Sequence, residues 1–132
     1  MTFTIPGDPV PAQMGALLPG GGIATRGQGR VRAYKDKVRL YTLRAVQLDG
    51  WNARNGAARY AVWLHVFVGD ARVIDVDNCA KALLDGIKRI AFPDDRQVHE
   101  LHVYKRIDRE RPRVDVVIEA IAEEVPNVAH SG

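Results

Sequence analysis

Five aspartates fall within residues 72–98 of a chain whose formal net charge is +3. Asp75 and Asp77 are two residues apart, so an extended segment over 73–77 would project both carboxylates from one side. Two carboxylates held side by side repel each other unless a cation lies between them. A hard divalent ion such as Mg²⁺ prefers oxygen ligands of this kind, and the pair therefore indicates a metal site. The other three aspartates are Asp85, Asp94 and Asp95.

Lys81 follows Asp77 by four residues and precedes Asp85 by four, so all three share one face of a predicted helix. One interpretation is a pair of salt bridges along that face. The other places Lys81 beside the metal, where it orients a water molecule or stabilises charge on a phosphate. The N-terminal end of the helix also favours an anionic substrate. The residues alone leave both interpretations open.

Asp94 and Asp95 lie beyond this helix. A helix of about a dozen residues is roughly 18 Å long. Asp95 therefore reaches Asp77 only if the chain turns back over the helix or bends at Pro93. From these residues alone we predict a metal-dependent site that acts on a phosphate-containing polyanion.

Basic residues concentrate in two other segments. Residues 26–44 hold seven Lys or Arg against one acid, and residues 105–113 hold five against two. Patches of this kind attract polyanions, nucleic acid first among them, although solvated helix and loop faces are the alternative. The candidate nucleic-acid contacts are Arg30, Arg32, Lys35, Lys105 and Arg106.

The composition indicates the cellular compartment in which the protein works. Cys79 is the one cysteine, so no disulfide forms within the chain, which fits a cytoplasmic protein. No apolar run approaches the length that spans a membrane, and the N-terminus lacks the pattern of a signal peptide. We therefore expect a cytoplasmic protein without a membrane partner.

The elements that must position these residues follow from hydrophobic periodicity. A chain of 132 residues suits one domain. We predict strands at 2–5, 59–68, 98–107 and 113–121, with a hairpin between the last two, and a glycine-rich loop at 13–29. One amphipathic helix runs from Arg32 to Leu48. A second runs from Cys79 to Ile90, with Asp77 or Asn78 as its N-cap and Pro93 ending it.

Strands and helices in this order predict an α+β domain with one mixed sheet and two main helices. The alternating apolar positions of the second and last strands should face the core. The domain is expected over residues 1–121, followed by a flexible tail at 122–132.

The central motif resembles that of the RusA family of Holliday junction resolvases. It is D-x-D-N-x-x-K-x-x-x-D, then a short helix, then D-D-x-Q-V. The N-terminal FTIPGDPVPAQ is also similar to the opening strand of that family, and the order of elements agrees over residues 2–120. The matching motif positions are Asp75, Asp77, Asn78, Lys81, Asp85, Asp94, Asp95, Gln97 and Val98.

The resemblance implies a small homodimer that binds four-way DNA junctions and cuts two opposing strands. The reaction would depend on Mg²⁺, which Mn²⁺ replaces, and on no nucleotide cofactor. Asp75, Asp77 and Asp95 would bind the metal and act in catalysis together with Lys81. A C₂ dimer would match the two-fold symmetry of the junction. The supporting motif residues would be Asn78, Asp85, Asp94 and Gln97.

The chain departs from the family pattern in one segment, and functions other than junction cleavage stay open. Family members often carry a dense run of Lys and Arg after the opening strand, where this chain has MGALLPGGGIA. The biological setting would be recombination, repair or the processing of phage or prophage DNA. The alternatives are a less specific metal-dependent nuclease, a module that binds branched DNA without cutting it, and a structural dimer of a phage particle.

Overall fold

A computed structural model of the protein describes residues 1–12, 28–53, 58–70 and 75–121. It confirms the α+β fold with a mixed four-stranded sheet and two helices. Of the predicted loop at 13–29, residues 13–27 lie outside the described residues, as does the predicted tail at 122–132, while Gln28 and Gly29 begin a helix. The elements are β1 (Thr2–Pro6), α1 (Gln28–Asp49), β2 (Arg59–Val68), α2 (Val76–Ile87), a short 3-10 helix (Asp95–Gln97), β3 (Val98–Ile107) and β4 (Arg113–Ile121).

The strands lie in the order β1-β4-β2-β3. Strand β2 pairs antiparallel with β4 on one side and parallel with β3 on the other. The predicted hairpin between β3 and β4 is therefore wrong. Helix α2 connects β2 to β3, and a helical crossover of this kind places the two strands it joins side by side and parallel. Strand β4 therefore pairs with the other edge of β2.

The helices cover one face of this sheet, and the core lies between them. The alternating residues of β2 and β4 that were predicted to face the core are buried: Val62, Leu64, Val66, Val68, Val114, Val116 and Ile118. Helix α1 approaches α2 closely at Gly86, where an added Cβ would lie 2.6 Å from Val38 Cγ1. Glycine at this position lets α1 hold α2 against the sheet.

Helix α2 begins three residues earlier than predicted. Asp75 is its N-cap, with φ −81° and ψ 139°, so the N-cap prediction for Asp77 or Asn78 is wrong. Asp77 lies in the first turn of the helix, so Asp75 and Asp77 do not project together from an extended segment. Val76, which lies between the two aspartates, is 38% exposed and marks no buried face.

The helix also ends earlier than predicted, at Ile87 and not at Pro93. Lys88 leaves the helical conformation with ψ 154°, and Arg89 adopts φ 70°. The backbone N–H of Arg89 then donates to the carbonyl oxygen of Phe92 at 2.6 Å. Residues 88–92 form a tight loop, and Lys88 and Phe92 make an isolated parallel bridge across it.

Candidate active site

A groove of about 540 Å³ lies between α2 and β3, and three of the four predicted catalytic residues, Asp77, Lys81 and Asp95, line it. Asp95, which follows the loop at 88–92, lines the same groove as Asp77. Leu101 and Val103 of β3 form an apolar wall. The α2 residues that line the groove are Val76, Asp77, Ala80, Lys81, Leu84 and Asp85.

Helical periodicity places three of the polar groups in this groove. Asp77, Lys81 and Asp85 are spaced by four residues, so their side chains leave one face of α2. Leu101 and Val103 alternate along β3 and meet that face from the sheet. The groove therefore combines charged groups from the helix with an apolar wall from the strand.

Asp85 is paired with cations other than the one predicted. Its Oδ2 lies 3.1 Å from Lys35 Nζ on α1, and its Oδ1 lies 3.6 Å from Lys88 Nζ. Among the residues that the structure describes, Lys81 has no ion pair, so the interpretation of Lys81 as a bridge between Asp77 and Asp85 is wrong. The ammonium group of Lys81 is exposed at the groove.

Asp94 and Gln97 hold the short 3-10 helix that presents Asp95. Asp94 Oδ1 accepts a hydrogen bond from the backbone N–H of Arg96 at 3.0 Å, and Gln97 Oε1 accepts one from the backbone N–H of Asp94 at 3.0 Å. Gln97 Nε2 also donates to the carbonyl oxygen of Ala58 at 3.1 Å. The Arg96 N–H, and next the Asp95 side chain, hold the pKa of Asp94 below its usual range. These two motif residues thus position their neighbour.

The carboxylates of the groove fit a hard divalent cation in chemistry. Asp77 and Asp95 are exposed oxygen donors on one groove. Asp75 is also exposed and makes no side-chain capping hydrogen bond, but it lies outside the groove lining. Within the described ranges, no three Asp, Glu, His or Cys side chains are close enough to hold a metal ion. Two of the three predicted metal ligands, Asp77 and Asp95, thus line one groove, and Asp75 lies at the start of α2 outside that lining.

A second, basic pocket of about 440 Å³ adjoins the groove through Asp85, which lines both. It includes Lys35, one of the predicted nucleic-acid contacts. It also includes three cations that were not selected. Lys88 and Arg89 lie at the end of the predicted motif helix and outside both predicted basic segments. Two adjacent cations at the end of a helix are nevertheless a signal for anion binding. The lining residues are Lys35, Arg39, Asp85, Lys88, Arg89 and Ile90.

The remaining predicted positions are distributed over the fold. Arg30 and Arg32 are exposed in the first turns of α1. Lys105 pairs in register with buried Val66, so its side chain is on the helix side of the sheet. Arg106 is on the opposite face, where its guanidinium lies 6.0 Å from the Tyr104 ring centroid.

Asn78 connects the motif helix to the N-terminal segment. Its carbonyl oxygen accepts a hydrogen bond from the backbone N–H of Ala12 at 3.1 Å. Its own backbone N–H donates to Asp77 Oδ1 at 3.0 Å. Asn78 therefore fixes the first turn of α2 next to the groove.

The helices of the described ranges are too short or too polar to span a membrane. A comparison with curated proteins finds no match. A family model described as Endodeoxyribonuclease RusA matches residues 6–119, which include the groove, the basic pocket, all of β2 and β3 and most of β4. The chain therefore belongs to the RusA family of crossover junction endodeoxyribonucleases, hydrolases that depend on a divalent metal ion and act on branched DNA.

Proposed function

We propose that this protein is a Mg²⁺-dependent resolvase that cuts four-way DNA junctions by paired symmetrical nicks as a homodimer. The observation that carries this proposal is the meeting of Asp77, Lys81 and Asp95 in one groove beside a basic pocket. The nuclease domain would be residues 1–121, with 122–132 as a tail. The setting would be recombination, repair or phage DNA processing in the cytoplasm.

Asp77 and Asp95 would hold Mg²⁺, which Mn²⁺ replaces, and Asp75 would complete the ligand set. Asp75 supports this role because its carboxylate makes no capping hydrogen bond at the start of α2. When bound, the ion supplies a Lewis acid that polarises a phosphate oxygen and lowers the pKa of a bound water. The proposed reaction uses no nucleotide cofactor.

Lys81 contributes a positive charge to the same groove. Hydrolysis forms a bond from a water oxygen to phosphorus and breaks the bond to the 3′ oxygen, while negative charge grows on the phosphate. The exposed ammonium of Lys81 lies one helical turn from Asp77, where it stabilises that charge. Leu84, Leu101 and Val103 exclude part of the water, which strengthens the electrostatic interaction.

The basic residues would bind the DNA backbone around the groove. Arg30, Arg32 and Lys35 on α1 and Lys105 on β3 keep this role, and Arg39, Lys88 and Arg89 of the basic pocket join them. Phosphate contacts supply most of the affinity, so binding should weaken steeply as salt concentration rises. A DNA contact at Arg106 stays a prediction, since this side chain is on the other face of the sheet.

One observation favours a second candidate, a module that binds branched DNA without cutting it. Among the described residues the carboxylates form no cluster of three that holds a metal ion. A nuclease whose ligand set never closes would still bind DNA through its basic residues. Cleavage separates this candidate from the resolvase.

The experiment is a cleavage assay on an end-labelled four-way junction with Mg²⁺, beside a linear duplex of the same sequence. We expect paired nicks on opposing junction strands, abolished by Asp77→Asn. Lys81→Ala should lower the cleavage rate by roughly 10²-fold, with junction affinity changed less than about threefold.

Junction binding without cleavage in Mg²⁺ or Mn²⁺ would contradict the proposal and favour the binding module. Equal cleavage of the linear duplex would instead identify a less specific nuclease. Lys81→Arg is the matched control for Lys81→Ala, because it keeps the charge and should retain more of the cleavage rate.

A further inference from the structure

Lys105 lies on the side of the sheet that faces the helices, one step beyond the groove. It is half-buried, and it pairs in register with Val66, whose side chain belongs to the core. Leu101 and Val103 precede it on β3, and both line the groove. Because alternate residues of a strand share a face, Lys105 continues the row of Leu101 and Val103. It therefore stands at one end of the strand wall of the groove.

The path of the chain determines which end of the groove this is. Strands β2 and β3 are parallel, and α2 connects them. The helix of such a crossover starts near the C-terminal end of the first strand and runs back toward the beginning of the second. Lys105 is in the C-terminal part of β3 (Val98–Ile107), so it lies on the side of the first turn of α2. Leu101 lies on the side of the later turns.

The charge of Lys105 acts on this first turn. Burial raises the pKa of the Cys79 thiol, and the charge of Lys105 has the opposite effect. The backbone N–H of Cys79 donates to the carbonyl oxygen of Asp75 at 3.0 Å, and Asp77 lies between these two residues in the chain. A lysine stem packs along apolar surface while its ammonium extends beyond it. The ammonium of Lys105 therefore belongs to the end of α2 that carries Asp75 and Asp77.

A cation at this end of the helix calls for negative charge nearby. The N-terminal end of a helix is itself positive, so a second positive group there is otherwise unfavourable. Asp75 and Asp77 supply that charge in the free protein. In the proposed reaction, however, these two carboxylates, Asp95 and one Mg²⁺ carry one net negative charge, which Lys81 cancels. The phosphodiester of the DNA brings one more negative charge, and a second cation at the site would balance it.

We propose that Lys105 is a catalytic residue that binds the reacting phosphate together with Lys81. The inference rests on the proposed function, and it narrows the role of Lys105 from a contact with the DNA backbone to a contact with the phosphate that is cut.

Lys105 acts through charge and hydrogen bonds and exchanges no proton. A water oxygen bonds to phosphorus and the bond to the 3′ oxygen breaks. The attacking water gives one proton to solvent, and the 3′ oxygen takes one from solvent. Lys105 donates a hydrogen bond to a non-bridging phosphate oxygen throughout, and this bond strengthens as negative charge grows on that oxygen.

A contact with the reacting phosphate and a contact with the flanking backbone differ in what a substitution changes. Loss of a flanking phosphate contact raises the Kd for the junction and reduces the slope of log affinity against log salt by about 1. Loss of a contact that strengthens only in the transition state lowers the cleavage rate and leaves the Kd nearly as it was.

The experiment measures single-turnover cleavage of the four-way junction in Mg²⁺ and, separately, junction binding without metal at several salt concentrations. Lys105→Gln removes the charge and keeps much of the side-chain length. We expect it to lower the cleavage rate by roughly 10²-fold and to change the junction Kd by less than about threefold. Lys105→Arg keeps the charge and should cleave at least about tenfold faster than Lys105→Gln.

Arg109→Ala is the matched control for the loss of one cation. Arg109 is exposed in the connection between β3 and β4, and its substitution should leave the cleavage rate unchanged. Circular dichroism checks that each variant is folded.

A second measurement needs neither DNA nor activity. A cation beside Asp75 and Asp77 repels Mg²⁺, so Lys105→Gln should lower the Kd for Mg²⁺ by roughly threefold or more. Isothermal titration calorimetry measures this Kd for the wild type, Lys105→Gln and Arg109→Ala. The Arg109→Ala protein should bind Mg²⁺ as the wild type does.

The inference would be overturned by a Lys105→Gln variant that cleaves at the wild-type rate, whether or not its junction Kd and salt slope change. Equal cleavage rates in Lys105→Arg and Lys105→Gln, or an unchanged Kd for Mg²⁺, would also overturn it. A wild type that leaves the junction uncut would instead contradict the proposed function itself. The Mg²⁺ titration would still report whether Lys105 lies beside the metal ligands, so the two failures are distinguishable.

Discussion

Lys35 Nζ on α1 lies 3.1 Å from Asp85 Oδ2 on α2, which joins the basic helix to the motif helix. Lys88 Nζ approaches the other carboxylate oxygen at 3.6 Å. Asp85 forms the wall between the groove and the basic pocket. With two cations beside it, this carboxylate joins the walls of the two cavities, and under the proposed function it would not compete with Asp77 and Asp95 for the metal ion.

Asp85→Asn should therefore keep metal binding. We expect its Mg²⁺ Kd to change less than about threefold, while Asp77→Asn and Asp95→Asn each raise it more than about tenfold. The lost ion pairs should lower the free energy of unfolding by up to about 1 kcal/mol. Isothermal titration calorimetry and urea unfolding measure the two effects. If Asp85→Asn weakened Mg²⁺ binding as much as Asp77→Asn, Asp85 would have to be a ligand.

Arg89 offers a prediction in which stability and DNA affinity change in opposite directions. Its φ of 70° is in the left-handed region, which is unfavourable for a side chain with a Cβ, and the residue lines the basic pocket. Arg89→Gly should raise the free energy of unfolding by up to about 1 kcal/mol and weaken junction binding. It should also reduce the slope of log affinity against log salt by about 1, as expected for one lost phosphate contact.

Thermal unfolding and fluorescence anisotropy at several salt concentrations check this pair of changes. Arg89→Asn is the control, because asparagine tolerates the left-handed region but carries no charge. Unchanged affinity and salt slope in both variants would remove Arg89 from the DNA contacts.

The bounds of β2, β3 and β4 match the prediction because alternation along a strand reports directly which residues meet the core. The pairing of those strands could not be predicted in this way, since alternation identifies the buried face of a strand and not the strand beside it. The connection from β3 to β4 looked like a hairpin turn, yet β2 lies between the two strands. Recognising α2 as a crossover between β2 and β3 was the missing step.

The candidate site, like the fold, could be predicted from the sequence only in part. The four-residue spacing of Asp77, Lys81 and Asp85 was sufficient to place them on one helix face. The position of Asp95 in the groove depends on the tight loop at residues 88–92, where Arg89 takes a conformation that glycine usually supplies. No residue type in that segment signals the turn. The ion pair between Asp85 and Lys35 could not be predicted from the sequence either, since Lys35 comes from another helix.

Gly86 should be intolerant of a methyl group. An alanine Cβ there would lie 2.6 Å from Val38 Cγ1 and 3.1 Å from the Lys35 carbonyl oxygen. Because the backbone of α1 cannot move freely, Gly86→Ala should lower the free energy of unfolding by about 1–3 kcal/mol. Gly29→Ala in α1 is the control, since nothing lies within 4 Å and the helix gains propensity. Urea unfolding of both variants measures the difference. Equal stability would show that the helices separate easily.

Two buried acids predict a loss of stability at alkaline pH. Burial raises the pKa of the Cys79 thiol from 9.0 to about 12, although the charge of Lys105 acts in the opposite direction. Burial also raises the pKa of Tyr34, whose hydroxyl has no hydrogen-bond partner among the described residues. Both groups stay neutral in the folded state at a pH where the unfolded chain already loses their protons.

The folded pKa of Cys79 is above the unfolded value, so its stabilising contribution is complete below about pH 9 and is lost as the pH rises toward about 12. The free energy of unfolding should fall by up to about 1.4 kcal/mol per pH unit for each such group. Cys79→Ala should flatten the first part of this decline, and Tyr34→Phe the part above the ordinary tyrosine pKa of about 10. Urea unfolding at intervals between these pH values measures the slopes. A decline of the same steepness in Cys79→Ala and the wild type would show that the thiol titrates normally in the folded protein.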